Sequence, residues 1–319
     1  MPGTGFSIRL WSLDQANKDN EPAQPPAAPP GEGGASVPPR GRPDMPPVKE
    51  EGSSLEKLPD EGVAANPAMV PYVIRYLNLN AERIKSLECR DVALRYSHNS
   101  QTVHLDAALA FQKPHNLRLV GKLLGEKNLD FGCKDRECWF WFKKMEPPYL
   151  FRFSSNAAGD IAPAVFRSQR DWLLEALGLA EYDRDKTYQM TKHGGTIELV
   201  EPVELPPRRP GRKVTILDRR RGQLVVTAHL AQDAEGKTLC ATYLSEYDKD
   251  PESGAMIPLK IQVELPTLRT MVELTLGKVK VNRPIDTSRA AQLFDMPQMD
   301  GVRVFDLNPG RGASGPGDP

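Results

Sequence analysis

The stretch Asn128–Lys144, NLDFGCKDRECWFWFKK, decides the fold. Leu129, Phe131 and Cys133 alternate with Asn128, Asp130 and Gly132. After the polar KDRE, Cys138, Phe140 and Phe142 alternate with Trp139, Trp141 and Lys143. Successive side chains on a strand point to opposite faces, so this is a hairpin of two antiparallel strands. A lone hairpin is only marginally stable in water, and the flanking chain supplies neighbours. Val92, Leu94 and Tyr96 share a face within Arg90–His98. Val103, Leu105, Leu109 and Phe111 share one in the next run. Leu117, Leu119 and Leu123 follow Pro114, and Tyr149, Phe151 and Phe153 follow Pro147-Pro148. The pattern predicts a β-meander with one apolar face and one wet face.

Working outward, Pro67–Leu87 reads as a helix. Val70, Val73, Ile74, Leu77, Ala81, Ile84 and Leu87 follow three-four spacing, with Asn66 as cap and Pro71 in the first turn. Its stripe covers either ordinary core or a ligand cavity. A second helix is expected over Pro163–Leu179, ended by Gly178. Short strands at Thr187–Met190 and Thr196–Leu199 enclose a His193-Gly194-Gly195 turn, and Pro202–Pro210 reads as a loop. A second meander occupies Lys213–Leu217, Gln223–Leu230, Thr238–Tyr247, Met256–Leu265 and Thr270–Val281, with a phase change at Gly277 that a bulge would produce. Asp286–Phe294 reads as a short helix capped by Asp286, Thr287 or Ser288. The expected class is mainly β (α+β): a single large curved sheet, with no βαβ rhythm, roofed by two or three helices because so much apolar area cannot face water. It encloses either a solid core or a cavity for apolar ligands.

The chain has 319 residues, 39% hydrophobic, with 42 basic and 42 acidic side chains. Balanced charge gives no reason to expect a nucleic-acid partner. No apolar run approaches the roughly 20 residues of a membrane span. Met1–Leu13 has one arginine and a broken apolar patch rather than an export leader, which taken literally reads as cytoplasmic. Residues 1–66 form a Pro-rich tether whose composition cannot offset its ordering entropy, and as a coil of about 50 residues it would span on the order of 40 Å. Residues 67–307 form the folded domain and 308–319 a disordered tail. Cys89, Cys133, Cys138 and Cys240 do not make a disulfide scaffold in so long a chain. Cys133 and Cys138 flank the hairpin turn and are either a structural disulfide or two free thiols.

The order of elements resembles the bacterial outer-membrane lipoprotein-sorting superfamily typified by LolA and LolB. The resemblance rests on NLNAERIKSLECRDVAL (Asn78–Leu94), KPHNLRLVGKLLG (Lys113–Gly125), the hairpin itself, IPLKIQVELP (Ile257–Pro266), VELTLGKVKVNRPID (Val272–Asp286) and FDMP (Phe294–Pro297). It implies an incomplete barrel, a half-barrel of about 11 antiparallel strands closed by helices, whose apolar side takes the acyl chains of a lipoprotein. It also implies export to the periplasm or the outer membrane. Members normally begin with an export signal and often a lipid-attachment cysteine; here no cysteine precedes Cys89.

The residues expected to meet an acyl chain are Val103, Leu105, Leu109, Leu119, Phe131, Phe140, Phe142, Trp139, Trp141, Ile261 and Val263. Alternation sends the tryptophans and the phenylalanines of the aromatic run to opposite faces, so one pair packs inside and the other lies beneath a helix or at a rim; core packing alone would also explain them. His98 and His104 flank a turn but lack a third ligand, so no metal is expected. The carboxylates of DKDPESG (Asp248–Gly254) read as solvated. No nucleophile elbow, phosphate loop or cofactor motif is present. The basic runs Pro206–Lys213 and Asp218–Arg221 serve solubility, or contact an anionic membrane surface. The expected function is a non-enzymatic periplasmic carrier or chaperone for lipoprotein acyl chains or lipid. A ligand-free envelope scaffold with a solid core is the alternative, and a hydrolase with an unseen site a third.

Overall fold

The computed structural model describes residues 63–64, 67–99, 101–144, 149–154, 173–205, 209–220 and 223–308. The expected tether (apart from Val63–Ala64), the Asn66 cap, most of the helix expected from Pro163 and the tail beyond Asn308 lie outside them.

The strands run β1 (Val63–Ala64), β2 (Ser86–His98), β3 (Gln101–Gln112), β4 (Asn116–Leu123), β5 (Glu126–Lys134), β6 (Glu137–Phe142), β7 (Tyr149–Ser154) and β8 (Gln189–His193). They continue as β9 (Thr196–Leu205), β10 (Arg209–Arg220), β11 (Gln223–Asp233), β12 (Thr238–Lys249), β13 (Met256–Leu265), β14 (Thr270–Leu276), β15 (Val279–Val281) and β16 (Arg303–Asp306). All belong to one open sheet ordered β1-β8-β9-β10-β11-β12-β13-β14-β2-β3-β4-β5-β6-β7-β16, with β15 also on β2. The expected single curved, unclosed sheet is therefore present, with more strands than the 11 anticipated.

The surplus has identifiable sources. Of the loop expected over Pro202–Pro210, residues 202–205 and 209–210 are strand: Pro202 pairs with Arg212, and Pro210 with Glu204. The β8–β9 ladder ends at Val200 and the β10–β11 ladder at Gly211, so both prolines have a partner strand on one side only. A missing N–H is tolerated there. Val63–Ala64, assigned by composition to the tether, pair with Lys192 and Thr191. β16 adds to β7 in parallel, the exception to an otherwise antiparallel sheet. The expected Thr270–Val281 strand divides at Gly277, whose N–H donates to the Asp91 carbonyl where β2 itself is irregular.

Helix α1 (Val70–Glu82) ends five residues earlier than its periodicity suggests. Leu87 belongs to β2, where it pairs with Phe111 and Val281, so ladder bonds on both sides outweigh the helical spacing. A 3-10 turn, Pro67–Met69, precedes it, and Met69 at the N-cap makes no side-chain bond. Helix α2 (Thr287–Phe294) is capped by Asp286, whose Oδ1 accepts the Arg289 N–H at 2.9 Å. Leu173–Ala176 is helical and ends at Gly178 with φ +69°, as the glycine predicted.

The inner face carries the main core, from Phe151 and Phe153 of β7 through β2–β5 to Ile257 and Ile261 of β13. The outer face is not wet throughout, as the one-apolar-face reading required. Trp139, Trp141 and Leu150 alternate outward and are covered by Met296, Met299 and Val302, while Phe294 is fully buried. Arg118 locks this cover in place. Its Nη1 donates to the carbonyls of Gln292, Leu293 and Asp295 at 3.1–3.3 Å, and its Nε and Nη2 reach the two Asp130 oxygens at 3.1 and 2.8 Å. A guanidinium at the carbonyl end of a helix is favourably placed.

Candidate functional site

The α1 sequence carries two apolar stripes. Val73, Ile74, Leu77 and Ala81 face the sheet, where the first three pack on Met190, Leu199 and Leu217 of β8–β10. Met69, Tyr72, Tyr76 and Leu79, also at three-four spacing, run along the helix flank and remain 50%, 68%, 40% and 40% exposed. Beside that flank a cavity of about 540 Å³ opens between α1, the 175–182 segment and strands β10–β13. Val73, Leu77, Leu224, Val226, Leu244 and Met256 supply apolar wall, and Tyr72, Tyr76 and Leu79 form one lip. This size is ordinary for a small-ligand site.

Two asparagines hold the helix over it. Asn78 donates to the Tyr182 carbonyl at 2.8 Å and accepts the Tyr182 N–H at 2.7 Å. Asn80 repeats the pattern on Met256, at 3.0 and 2.8 Å. Each side-chain amide thus imitates a strand neighbour, fastening α1 to the 182 segment on one side and to β13 on the other. No main-chain ladder tethers the helix, so these clamps and the apolar stripe set how easily it lifts.

Beside the cavity lies a polar group of residues drawn from β9–β12 and the 175–186 segment. Lys213 Nζ contacts Glu175 at 2.5 Å and stands 5.4 Å above the Tyr182 ring; Lys186 contacts Glu201 at 2.5 Å. His229 Nδ1 is 3.2 Å from Thr215 Oγ1, and its Nε2 is buried. Burial above all, with the Lys213 charge, lowers the His229 pKa to about 3, against a small opposing effect of the Glu175 carbonyl. Burial pushes the Cys240 thiol up to about 12 and holds the Tyr182 and Tyr247 phenols far above their ordinary value. Tyr247 donates its hydroxyl to the Val226 carbonyl. A thiol so perturbed stays protonated and inert at neutral pH, and neither His229 nor Thr215 lines the cavity.

No protein-family model matches the chain, and no curated protein matches it either. Solved structures resemble it. A DUF1329 family protein from Desulfovibrio piger aligns at 9% identity over 72% of this chain and 100% of its own, with a TM-score of 0.48. A LolA superfamily protein from Nitrosomonas europaea aligns at 13% identity over 69% of this chain and 96% of its own, with a TM-score of 0.44.

The residues expected to meet a ligand lie elsewhere. Leu105, Leu109, Leu119, Phe131 and Ile261 are buried in the main core, and Val103, Phe140, Phe142 and Val263 pack half-buried against it. Trp139 and Trp141 occupy the opposite face under the C-terminal segment. None of the eleven lines the cavity. Of the basic runs, Arg219 lines it, Lys213 pairs with Glu175 and Arg220 with Asp218 at 3.0 Å; Pro206–Arg208 and Arg221 lie outside the described residues. Cys133 and Cys138, directly paired on β5 and β6, form a buried disulfide. His98 is hydrogen-bonded through both ring nitrogens, to Thr270 Oγ1 at 2.9 Å and the Asn99 amide at 2.8 Å. Asp250 holds the DKDPESG turn by accepting from Ser253 N and Oγ. The second α1 stripe was the sequence signal for the site: Met69, Tyr72, Tyr76 and Leu79 make the helix apolar over more of its circumference than one packed face needs.

Proposed function

We propose that this protein is a non-enzymatic carrier that takes an acyl chain of a lipid or lipoprotein into the cavity beneath α1. The observation that carries the reading is the cavity itself: an apolar wall roofed by a helix whose tyrosine- and leucine-lined flank stays open to solvent. Each methylene withdrawn from water contributes roughly 0.8 kcal/mol, so a chain long enough to reach Leu244 binds without any specific polar contact. Loading and release require α1 to swing on its two asparagine clamps. The buried Cys133–Cys138 bridge suits an oxidising compartment, which supports a periplasmic or outer-membrane-associated site of action. The protein purified from cells is expected to bring co-extracted lipid, seen by mass spectrometry, and after delipidation to take up a fluorescent long-chain fatty acid. Leu224→Trp, which sets a bulkier side chain in the cavity wall where the chain would lie, is expected to abolish uptake. Protein that is consistently empty and takes up no probe would favour the ligand-free scaffold instead.

A further inference from the structure

The charges around the cavity are one-sided. Its lining contains three cationic side chains, Arg83, Arg219 and Lys249, and one acid, Glu175. Glu175 is already matched by Lys213 at 2.5 Å. Among the described residues, no ion pair involves Arg83, Arg219 or Lys249. Two of the cations also converge. Arg83 Nη1 and Lys249 Cε stand 4.0 and 3.8 Å from the point where a Cβ would sit on Gly254, at the β12–β13 turn, and Arg83 is steadied there by donating to the Gly254 carbonyl at 3.2 Å. Cations gathered at one turn repel one another, and an anion bound between them would relieve that repulsion.

Resting on the carrier reading above, we propose that the occupant is an amphiphile with an anionic head, a carboxylate or phosphate monoester, held at the mouth by Arg83, Lys249 and Arg219 while its chain lies against Val73, Leu224 and Leu244. This narrows the ligand class. An acylated lipoprotein cysteine presents no anionic group at the head of its chains, whereas a free fatty acid or a lysophosphatidate presents the anion these cations fit.

The test is competition against a bound fluorescent fatty acid, using an unlabelled fatty acid, a lysophosphatidate, and the fatty acid's methyl ester. Both anions are expected to compete at least about tenfold better than the ester, since a hydrogen bond to a charged group contributes that much. Arg83→Gln and Lys249→Gln are each expected to remove most of that preference while leaving the ester's affinity unchanged. Arg219→Gln, which makes no contact with the Gly254 carbonyl, serves if the first variant unfolds. Equal competition by acid and ester in the wild type would overturn the head-group proposal and leave the carrier reading standing. Absence of binding by any of the three would overturn both.

Discussion

At the scale of single residues, the most committed position is Asp130, a fully buried carboxylate. It accepts from Arg118 through both oxygens, from Lys127 at 3.0 Å and from Trp139 Nε1 at 3.0 Å. Gly132 on the same face shows how close the indole lies, because a Cβ there would stand 2.2 Å from Trp139 Cζ2. Removing the anion leaves Arg118 and the indole N–H without their partner in a water-poor site. Asp130→Ala is therefore expected to cost about 3–5 kcal/mol in denaturant unfolding and to free the C-terminal cover of β6. His229 gives a second residue-scale expectation. Its pKa of about 3 in the fold lies below the ordinary imidazole value of 6.5, so between those values the unfolded chain binds the extra proton and the folded chain does not. The stabilising contribution is whole above pH 6.5 and is lost as the pH falls toward 3. The stability of the wild type should fall more steeply over that window than that of His229→Gln, by up to a few kcal/mol at the acid end. Parallel pH profiles for the two proteins would rule out His229 as the cause.

At the scale of elements, α1 decides access to the cavity, and its hold on the sheet can be tested through Asn80. Asn80→Leu keeps the size of the side chain but strands the N–H and C=O of Met256. A loss of about 1–3 kcal/mol, faster hydrogen exchange over Val70–Glu82 and faster ligand release are expected together; unchanged exchange over the helix would refute the clamp. The same elements show what the chain announces and what it hides. Period-two alternation in Leu129–Cys133 and Cys138–Phe142 foretold a hairpin and the opposite facing of Trp139/Trp141 and Phe140/Phe142, and it left open the Cys133↔Cys138 pairing that the structure shows. The alternation is local, and so it was legible. Local spacing misled where ladder partners lie far along the chain, as when Leu87 joins Phe111 and Val281 rather than the helix. The cavity was less legible still. Aromatic density pointed to the β5–β6 hairpin, but there the side chains fill the space between them. The gap lies where α1 meets Leu224, Leu244 and Met256, more than 140 residues later in the chain. Asn78 and Asn80, quoted as part of a family-like motif, carried the clue in their polarity: two asparagines beside a packed stripe need partners.

At the scale of the whole molecule, one open sheet serves two purposes at its two ends. Around β2–β7 the inner face is filled by its own leucines and phenylalanines, and the outer face is sealed by the C-terminal segment. Toward β10–β13 the filling is incomplete and a helix stands in as a roof. Among the described residues the sheet ends on short strands, a two-residue β1 at one side and a four-residue β16 at the other. A molecule so divided should respond to a ligand unevenly. Binding to the folded state alone stabilises it by about 2.7 kcal/mol at a free ligand concentration of a hundred times Kd. For a domain of this size that corresponds to a rise in Tm of about 5–10 °C. The rise is expected in wild type with a saturating fatty acid and absent in Leu224→Trp. Hydrogen exchange should slow over Val70–Glu82 and the β12–β13 turn while β3–β5 stay unchanged, because the solid end has no room for a chain. Slowed exchange centred on β3–β5 would move the ligand to Phe131 and Phe140, and the roofed cavity would lose its claim.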